Sequence, residues 1–476
     1  MAPYYAGNSC DPFTPKSMPC TLGNYVNYAI NVSKPLDISK GIAFAAERNI
    51  RLVIRNTGHD YLGKSTGAGS LAIWTHNLKS IDFVDYSNAE YTGKAIKMGA
   101  GVQGIEAYKA ANKVGLSVTG GECPTVGLAG GYTQGGGHSA LASKYGLAAD
   151  QTLEWEVVTG TGEFITASRT KNSDLYWALS GGGGGTYGVV YSLTSKAHTD
   201  IPVSGANLTF YSEGVSAESY DAAITAWHAN LPKLVDAGAM TIYYISSTAF
   251  ILTPFTGPGI SATYAKELLQ PFLDTLTDLG IKYNITGPVE FPTFLDEYKT
   301  FFSPYEVGVS QYGGRLIPRS VIENNNDGLT AAIRNITQNK VGSLFVGFGL
   351  NVNKSMARGN EHVDNAVLPA WRETLVDTIL TTTWNFSAPL SDMVALQEVM
   401  TKELLPPLEA ITPGSGTYMN EGDPYQADWQ ETFYGANYPR LLTVKKKYDP
   451  NDIFYASKAV GSDGWEADIG GRLCKV

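Results

Sequence analysis

Two residues in glycine-rich stretches are the first candidates for chemistry in this sequence. His59 stands in RNTGHDYLG, and Cys123 stands in GGECPTVGLAGG. A histidine can act as a base, a nucleophile or a metal ligand, although a lone histidine is usually structural. A cysteine among glycines has no core to pack into, so it is either a reactive thiol or a point of covalent attachment. Residue chemistry alone leaves both residues with more than one role.

Two further glycine patterns match the loose dinucleotide-binding fingerprint G-x-G-x-x-G. The first is Gly99, Gly101 and Gly104, which follows a predicted strand and opens a predicted helix, with the acid Glu122 about twenty residues on. The second covers residues 183–188, but a helix precedes it and a strand follows it. It therefore cannot offer a helix N-terminus to a phosphate, although a concave run of its backbone N–H groups could still bind one.

Hydrophobic periodicity predicts the elements that must position these motifs. Residues 36–55 show helical spacing and then a strand pattern, and residues 95–121 indicate strand, helix and strand. LEWEVVT and EFITAS flank the turn TGTG and predict a hairpin. After about residue 205 glycine thins out and strand-like runs alternate with helices. This change indicates a separate antiparallel sheet that is backed by helices.

Length and charge exclude several classes of protein. The chain has 476 residues, which suggests two domains or one domain with a large insertion. Its net charge of −10 makes nucleic acid and anionic lipid unfavourable partners, because both are negatively charged. No stretch approaches the roughly 20 apolar residues that span a bilayer. We therefore expect a globular protein that binds neither nucleic acid nor membrane.

The cysteines and glycosylation signals favour an oxidising compartment. Cys10 and Cys20 bracket a proline-rich loop and are a plausible disulfide, whereas Cys474 has no evident partner. No signal peptide opens the sequence, so we expect a leader to lie outside it if the protein is secreted. Secretion and N-glycosylation are nevertheless expected from the six Asn-x-Ser/Thr sites, which are Asn31, Asn207, Asn284, Asn335, Asn353 and Asn385.

The motifs taken together resemble a known family over essentially the whole chain. IRLVIRNTGHDYLGKS, GGECPTVGLAGGYTQGGGHSALASKYGLAADQ, LYWALSGGGGGTYGVV and YDPNDIFYASKAVGSDGW are the stretches that carry the likeness. They resemble the berberine-bridge-enzyme-like branch of the vanillyl-alcohol-oxidase flavoproteins, and in particular its fungal secreted members of the isoamyl alcohol oxidase type. The resemblance implies an FAD-dependent oxidoreductase.

The resemblance implies that FAD is held by two covalent bonds. The histidine of the GHDY motif, here His59, is expected to bind the 8α carbon of the isoalloxazine, and the cysteine of the CPTVG motif, here Cys123, its C6. The loop of residues 181–185 resembles the family's pyrophosphate loop, and the pattern at residues 99–104 becomes an ordinary part of the FAD domain. The further cofactor-binding residues that the resemblance implies are Arg55, Asn56, Thr57, Gly58, Asp60, Gly63, Val126, Gly127, Gly130, Gly131, Gly136, His138, Gly182, Gly183, Gly184, Gly185, Gly188, Val189, Asn420 and Asn437.

The same resemblance implies catalytic residues near the C-terminus. TYMNEGD matches the family pattern Y-x-N-Y-x-D at Tyr418, Asn420 and Asp423, but Glu421 replaces the second tyrosine. Tyr418 stands where many relatives have their catalytic base, and Glu421 is an extra carboxylate that could share or take over that role. Val126, three residues after the attached cysteine, resembles members that admit oxygen to the flavin, which favours an oxidase over a dehydrogenase.

The predicted fold is α+β, with a two-part FAD-binding domain of the vanillyl-alcohol-oxidase type and a substrate domain built on an antiparallel sheet. We place the FAD-binding domain at residues 1–205, the substrate domain at 206–410, and at 411–476 a segment that returns to the FAD-binding domain. The chain is expected to be a monomer without a metal site.

The resemblance implies oxidation of an alcohol by hydride transfer to flavin N5, with O2 reduced to H2O2. The partners are then a small alcohol or sugar and molecular oxygen. Three alternatives stay open: an oligosaccharide oxidase acting at the anomeric carbon, a specialised-metabolite oxidase or cyclase, and a flavin-binding surface protein with little turnover.

Overall fold

Three β-sheets with flanking helices make up most of the protein. The computed structural model describes residues 2–7, 9–302, 307–355, 360, 362–467 and 473–476. The predicted mixture of helices and antiparallel sheet is confirmed. Among the described residues, no helix has both the length and the apolar character to cross a bilayer. Cys10 and Cys20 form a disulfide, whereas Cys474 is free and exposed.

The first sheet is small and parallel. It contains β1 (Tyr28–Asn31), β2 (Leu52–Arg55) and β3 (Leu71–Trp74) in the order β1-β3-β2, and α1 (Pro35–Arg48) connects the first two strands. Pro35 opens α1, where its missing N–H costs nothing, and the Asp37 carboxylate accepts hydrogen bonds from the backbone N–H groups of Ser33 and Lys34. The chain leaves α1 through Asn49 in a left-handed conformation and returns as β2.

The second sheet has five antiparallel strands in the order β4-β5-β9-β7-β8. The predicted hairpin is confirmed as the pairing of β7 with β8. The stretch 116–121 forms only a two-residue strand, because the chain then enters the glycine-rich residues 120–139, which we call the glycine tract. The elements of this region are β4 (Ile81–Ser87), β5 (Thr92–Gly99), α2 (Gly104–Asn112), β6 (Leu116–Ser117), a π-helical turn (Leu128–Tyr132), α3 (Ala142–Tyr145), α4 (Ala148–Gln151), β7 (Thr152–Val158), β8 (Phe164–Ser168), α5 (Ser173–Leu179), β9 (Val189–Lys196) and β10 (His198–Thr199).

The G-x-G-x-x-G pattern between β5 and α2 has a packing role. A Cβ on Gly99 would lie 2.5 Å from the carbonyl oxygen of Leu78, and one on Gly101 would lie 2.0 Å from that of His76. Only glycine allows the two backbones to approach so closely. The pattern is thereby explained without a bound dinucleotide.

The third sheet is the largest, with seven antiparallel strands in the order β14-β11-β13-β12-β16-β17-β15. Hydroxyl side chains cap its long helices, since Ser216, Ser261 and Thr293 each accept a hydrogen bond from a first-turn N–H group. Its elements are β11 (Val203–Tyr211), α6 (Ala217–Asp236), β12 (Met240–Ile245), β13 (Ala249–Pro258), α7 (Ala262–Asp278), β14 (Tyr283–Phe291), α8 (Phe294–Phe301), β15 (Ser310–Pro318), α9 (Arg319–Asn324), α10 (Asn326–Thr337), β16 (Leu344–Gly349), a 3-10 turn (Pro369–Glu373), β17 (Thr374–Thr383), α11 (Leu390–Val399), a π-helical turn (Met400–Leu404) and α12 (Pro406–Ile411).

The C-terminal segment packs against the first two sheets. Phe433, Tyr434 and Leu441 are buried in the same hydrophobic core as Trp155 of β7, and Phe454 forms an isolated parallel bridge with Leu52 of β2. A second core lies almost wholly within the third sheet and its helices. The remaining elements are 3-10 turns (Pro3–Ala6, Gly435–Asn437 and Ser462–Gly464), α13 (Trp429–Tyr434), α14 (Tyr438–Tyr448), β18 (Trp465–Ala467) and β19 (Leu473–Lys475).

A buried ion pair ties α4 to the turn that leads into β17. Arg372 donates to both carboxylate oxygens of Asp150, at 2.8 and 2.9 Å, and Asn365 donates to one of them at 2.8 Å. Burial by itself would raise the pKa of Asp150, but the Arg372 guanidinium and these hydrogen bonds hold it below its usual value. The pair therefore couples the second sheet to the third through a geometry that satisfies both charges.

We expect Arg372→Met to lower the free energy of unfolding at neutral pH by about 3 kcal/mol, because the Asp150 carboxylate would stay buried without its cation. Since the pKa of Asp150 is lowered in the folded protein, the stability it contributes is present above the unfolded pKa of about 4 and is lost as pH falls below it. The difference between variant and wild type should therefore shrink in acid. Urea unfolding at several pH values measures both effects.

Lys402→Met is the matched control, because Lys402 and Glu398 form an exposed i,i+4 pair. Its loss should change stability little at any pH. An equal loss of stability in the two variants would contradict the coupling role of Arg372.

Candidate active site

One large cavity lies between the glycine tract that precedes α3 and the loop that precedes α13. Its volume is about 1360 Å³, with solvent at its mouth included. Glycine backbone forms much of its wall, which lets an extended ligand lie close to the main chain. The predicted site residues that line it are Asn56, Thr57, Gly58, His59, Asp60, Cys123, Val126, Gly127, Gly130, Gly131, His138, Gly184, Gly185, Gly188, Tyr418, Asn420 and Glu421.

His59 lies on the wall of this cavity in the loop that follows β2. Its Nε2 is 2.7 Å from the hydroxyl oxygen of Thr125. Burial lowers the pKa of His59 to about 4, so the imidazole is neutral at physiological pH. A neutral imidazole keeps one ring nitrogen with a free electron pair, which is the form that acts as a nucleophile.

Cys123 lies beside His59 through the same hydroxyl group. Its Sγ is 3.5 Å from Thr125 Oγ1. The main chain here bends sharply, because Val126 N–H donates to the Cys123 carbonyl and Gly104 N–H donates to the Val126 carbonyl. Thr125 thus brings two residues that are distant in sequence to one position on the cavity wall.

The glycine tract makes close contact with the loop that carries His59. A Cβ on Gly127 would lie 2.3 Å from Asn56 Oδ1, and one on Gly130 would lie 3.2 Å from Asn56 Nδ2. Asn56 in turn donates to the carbonyl of Ala100. Glycine is therefore needed here for close packing as well as for access to a ligand.

Lys64 is a buried cation on the cavity wall. Its Nζ has no hydrogen-bond partner among the described residues. Burial lowers the pKa of Lys64 to about 8, and the nearby Asp60 carboxylate only partly opposes this shift. Asp60 itself accepts hydrogen bonds from the backbone N–H groups of Lys64 and Ser65. An unpaired buried ammonium is costly, and an anionic ligand would relieve that cost.

Tyr418 lines the same cavity from the loop that precedes α13. The phenol oxygen accepts hydrogen bonds from Asn420 Nδ2 at 2.7 Å and from the backbone N–H of Gly137 at 3.2 Å. Burial and then the Glu421 carboxylate raise the pKa of Tyr418 well above its usual value, although these two donors lower it. Tyr418 is therefore a neutral phenol at physiological pH. Asn420 also donates to the carbonyl of Gly131, which joins the two walls.

His138 is surrounded by carboxylates. Its Nε2 is 2.9 Å from Glu421 Oε1 and 3.8 Å from Asp377 Oδ2, and its Nδ1 is 3.5 Å from Glu122 Oε2. Burial alone would lower the pKa of His138, but the Glu122 and Glu421 carboxylates raise it well above its usual value. His138 is therefore an imidazolium at neutral pH.

The other predicted residues lie behind the walls. Gly181 and Gly183 N–H groups both donate to the Gln134 carbonyl, so these two donors of the predicted pyrophosphate loop point at protein. Asn437 donates to the carbonyls of Ala366 and Val367. The predicted residues that do not line the cavity are Arg55, Gly63, Gly136, Gly182, Gly183, Val189 and Asn437.

Sequence reasoning missed several groups that the structure brings to the site. Lys64, Thr125 and Glu122 lie within motifs whose other members were selected, and Glu122 was considered only as the acid of the G-x-G-x-x-G pattern. A charged residue inside a glycine-rich motif was an available signal for Lys64 and Glu122. Asp377 lies in TLVDTILTTT, a buried strand with one acid. A lone acid in a buried strand is such a signal too, because an acid is rarely buried unless it is paired.

Two family models match this chain. The model described as FAD binding domain matches residues 26–168, and the model described as Berberine and berberine like matches residues 417–461. The matched ranges contain His59, Cys123 and Tyr418, which all line the cavity. FAD is thereby supported as the cofactor, and two features of the cavity fit it: the glycine cradle, and the Lys64 ammonium, which has no hydrogen-bond partner among the described residues.

Whole-chain comparisons agree with these models. The FAD-linked oxidoreductase patO of Aspergillus clavatus is 53% identical over 100% of this chain and 83% of its own length. The crystal structure of the VAO-type flavoprotein MtVAO615 from Myceliophthora thermophila is 43% identical, with a TM-score of 0.93 over 99% of this chain and 86% of that one. The glucooligosaccharide oxidase of Acremonium strictum shares the fold at 18% identity, with a TM-score of 0.74 over 92% of each chain. The chain belongs to the berberine-bridge-enzyme-like, FAD-dependent oxidoreductases of the vanillyl-alcohol-oxidase family.

Proposed function

We propose that this protein is a secreted oxidase that holds FAD through two covalent bonds, to His59 and Cys123, and oxidises an alcohol with O2 as the acceptor. The observation that carries the proposal is the placement of both residues on the Thr125 hydroxyl at one position of the cavity wall. The 8α carbon and C6 of the isoalloxazine belong to the same benzenoid ring. Two bonds to that ring need two nucleophiles that lie side by side, which is what Thr125 provides.

Each residue has the chemistry that its bond needs. The Thr125 hydroxyl contacts His59 Nε2, and no described residue hydrogen-bonds Nδ1, so Nδ1 is the nitrogen left for the flavin. The glucooligosaccharide oxidase of Acremonium strictum, which shares this fold, carries a 6-S-cysteinyl, 8α-N1-histidyl FAD. That attachment supports the same pair of bonds here, with N1 of the imidazole corresponding to Nδ1.

The pyrophosphate of FAD is the permanent anion that Lys64 would pair with. Lys64 Nζ is buried on the cavity wall and has no partner among the described residues. Gly184 and Gly185 line the same cavity, and their backbone can approach phosphate oxygens without a Cβ in the way. A charge-assisted contact from Lys64 would add to these backbone contacts.

Bound FAD supplies the hydride acceptor and the site that returns electrons to oxygen. The protein supplies orientation and the proton acceptor. Tyr418 is a neutral phenol, so its hydroxyl can hold the substrate oxygen but does not act as the base. Glu421 lines the same wall and is three residues away, so it is the group that we assign to take the hydroxyl proton. Val126 lines the cavity beside Cys123, where a small side chain leaves room for oxygen.

Secretion is supported by independent features. Cys10 and Cys20 are paired, and disulfides persist in oxidising compartments. Four of the six sites for N-glycosylation are exposed, namely Asn31, Asn284, Asn335 and Asn385. Asn207 lies within β11, between two neighbouring strands, and its Oδ1 is buried, so we do not expect a glycan there.

The attachment can be tested by acid precipitation. His59→Ala and Cys123→Ala should each leave flavin in the protein pellet, because the other bond remains, and only the double variant should release all of it. Flavin absorbance of pellet and supernatant gives the result. Yellow supernatant from the wild-type protein would refute the covalent model, and full release from one single variant would reduce it to one bond. Cys474→Ala is the control, because this free cysteine is exposed and outside the cavity.

The oxidase assignment can be tested in two half-reactions. Alcohols and oligosaccharides are mixed anaerobically with the holoprotein, and the flavin absorbance is followed. Reduction by alcohols supports the proposal, whereas reduction by oligosaccharides alone would favour the anomeric-carbon alternative. In the second half-reaction, photochemically reduced flavin should be reoxidised rapidly by O2 with release of H2O2.

Val126→Leu should slow this reoxidation by about tenfold, equivalent to about 1.4 kcal/mol in the barrier, because the larger side chain would fill the space left for oxygen. Val307→Leu is the control, since Val307 also lines the cavity but is far in sequence from the Cys123 motif. A wild-type protein whose reduced flavin reacts slowly with O2 would be a dehydrogenase.

Lys64→Met should lower the fraction of protein that carries flavin, because the pyrophosphate would lose its buried cation. Lys64→Arg should retain more flavin, since it preserves the charge. The ratio of flavin to protein absorbance measures the loading in both. If Lys64→Met loads as fully as the wild type, Lys64 does not contact the cofactor.

A further inference from the structure

Four ionisable side chains meet in the wall beside Tyr418, and they come from distant parts of the chain. Glu122 and His138 lie in the glycine tract, Asp377 lies in the middle of β17, and Glu421 lies in the C-terminal loop. The side chains of His138 and Asp377 are 5% and 1% exposed, and those of Glu122 and Glu421 are 10% and 14% exposed. Water therefore contributes little to the stabilisation of their charges.

The cluster lacks hydrogen-bond donors. Among the described residues, neither carboxylate oxygen of Asp377 has a hydrogen-bond partner, and the same holds for Glu421 Oε2 and Glu122 Oε1. His138 supplies two N–H groups: its Nε2 hydrogen-bonds Glu421, whereas its Nδ1 lies 3.5 Å from Glu122 and makes no hydrogen bond to a described residue. Asp377 is fully buried and receives none. A buried carboxylate that accepts no hydrogen bond is a strongly unfavourable arrangement.

The charges do not balance either. Three carboxylates around one imidazolium leave an excess of negative charge in a medium of low dielectric constant. One proton between Asp377 and Glu421 would remove one charge and supply the missing donor at once. Two carboxylates at close range behave in this way, because they cannot both ionise.

We propose that Asp377 and Glu421 share one proton in the resting protein and that this pair accepts the proton that leaves the substrate hydroxyl. This inference rests on the proposed oxidase function and deepens it. Glu421 lines the cavity and is the group that contacts substrate, whereas Asp377 lies behind it and is a positioning residue that holds the shared proton. His138 Nε2 holds Glu421 at 2.9 Å and lies 3.8 Å from Asp377 Oδ2.

The titration of nearby groups agrees with this arrangement. Burial and then the Glu421 carboxylate raise the pKa of Asp377 well above its usual value. The phenols that face the cluster stay protonated, since burial raises the pKa of each, and so they do not compete as the base. These phenols are Tyr132, Tyr244, Tyr312 and Tyr418.

The Asp377 and Glu421 pair accounts for the protons of the proposed reaction. When the substrate O–H bond breaks, its proton goes to the pair, which then holds two protons, and the substrate carbon gives up its hydride to the cofactor as the carbonyl forms. When O2 is reduced by two electrons, the pair releases one proton and the hydrogen carried with the electrons supplies the other. H2O2 leaves, and the pair returns to one proton.

A divalent cation is the competing occupant of the cluster. Ligand atoms of His138, Asp377 and Glu421 lie within 4.8 Å of one another, and nitrogen and oxygen donors suit several divalent metals. We favour the proton because the 2.9 Å from His138 Nε2 to Glu421 Oε1 is a direct hydrogen bond, which a metal ion between the two atoms would replace. Elemental analysis of the purified holoprotein separates the two, and one equivalent of bound metal would overturn the proposal.

Infrared spectroscopy can detect the shared proton without a substrate. The carbonyl stretch of a protonated carboxyl group should be present in the wild-type holoprotein at neutral pH and should be lost in both Asp377→Asn and Glu421→Gln, because removal of one carboxyl group leaves the cluster with the same net charge that the shared proton gives it. Loss in only one variant would place an unshared proton on that residue and would refute sharing.

Glu297→Gln is the control for the spectra. Glu297 is buried in α8, where burial raises its pKa to about 8 and Thr256 donates to it. This variant should lose its own carboxyl band and keep the band of the Asp377 and Glu421 pair. Flavin absorbance confirms that each variant is folded, and Glu421→Gln keeps the proposal testable if Asp377→Asn does not fold.

Proton uptake during reduction supplies a second readout. On anaerobic photochemical reduction near neutral pH, the wild-type holoprotein should take up about one proton more per flavin than either Asp377→Asn or Glu421→Gln, because added negative charge on the cofactor raises the proton affinity of the pair. An indicator dye measures the difference. Equal uptake in all three proteins would refute the shared-proton pair but leave the oxidase assignment intact, whereas slow reoxidation by O2 would refute the oxidase and not the pair.

Discussion

The loop of residues 416–421 is held from both sides, and the active site depends on this contact. On one side Leu316 N–H of β15 donates to the Gly416 carbonyl at 2.8 Å. On the other side Asn420 donates to the Gly131 carbonyl of the glycine tract at 2.8 Å. A Cβ on Gly314 would lie 2.7 Å from the Thr378 carbonyl oxygen and 2.9 Å from that of Glu421, so glycine is required for this approach. A single loop thus connects the third sheet to the glycine tract, which lines the cavity.

The same loop concentrates unbalanced charge around the cavity. It brings Glu421 to His138, Asp377 and Glu122, where negative charge is in excess, while Lys64 lies elsewhere on the wall as a cation that hydrogen-bonds no residue the structure describes. Neither feature stabilises the folded protein by itself, because buried polar groups without partners cost free energy. A protein keeps such groups where a ligand or a reaction satisfies them, and both of these sets line or adjoin one cavity.

The sequence predicted the cofactor side of this site better than the substrate side. GHDY, CPTVG and the glycine tract are contiguous motifs, so their residues were selected together, and most of them line the cavity. Asp377 could not be assigned in this way, because its neighbours Glu122, His138 and Glu421 come from other elements and their meeting depends on the register of β17. Gly182 and Gly183 were selected for their motif, yet they lie behind the wall, since the N–H of Gly183 is used by the Gln134 carbonyl. Local sequence predicts strands and close approaches, whereas contacts between distant elements need the whole fold.

The cofactor side and the substrate side of the site come from different sheets, which explains how one cofactor chemistry can serve different substrates. His59, Cys123 and Lys64 belong to loops around the first two sheets, and none of them lies on the third sheet. Buried aromatic rings on or next to that sheet pack behind the substrate side, since the ring of Phe348 lies 4.8 Å from that of His138 and the ring of Trp371 lies 5.3 Å from that of Tyr418. Neither ring lines the cavity, so substitutions at these two positions would act on it through His138 and Tyr418. In the reaction proposed above, a carbon must face the flavin and a hydroxyl must face Glu421, so the positions of His138 and Tyr418 bear on which substrate is oriented for reaction.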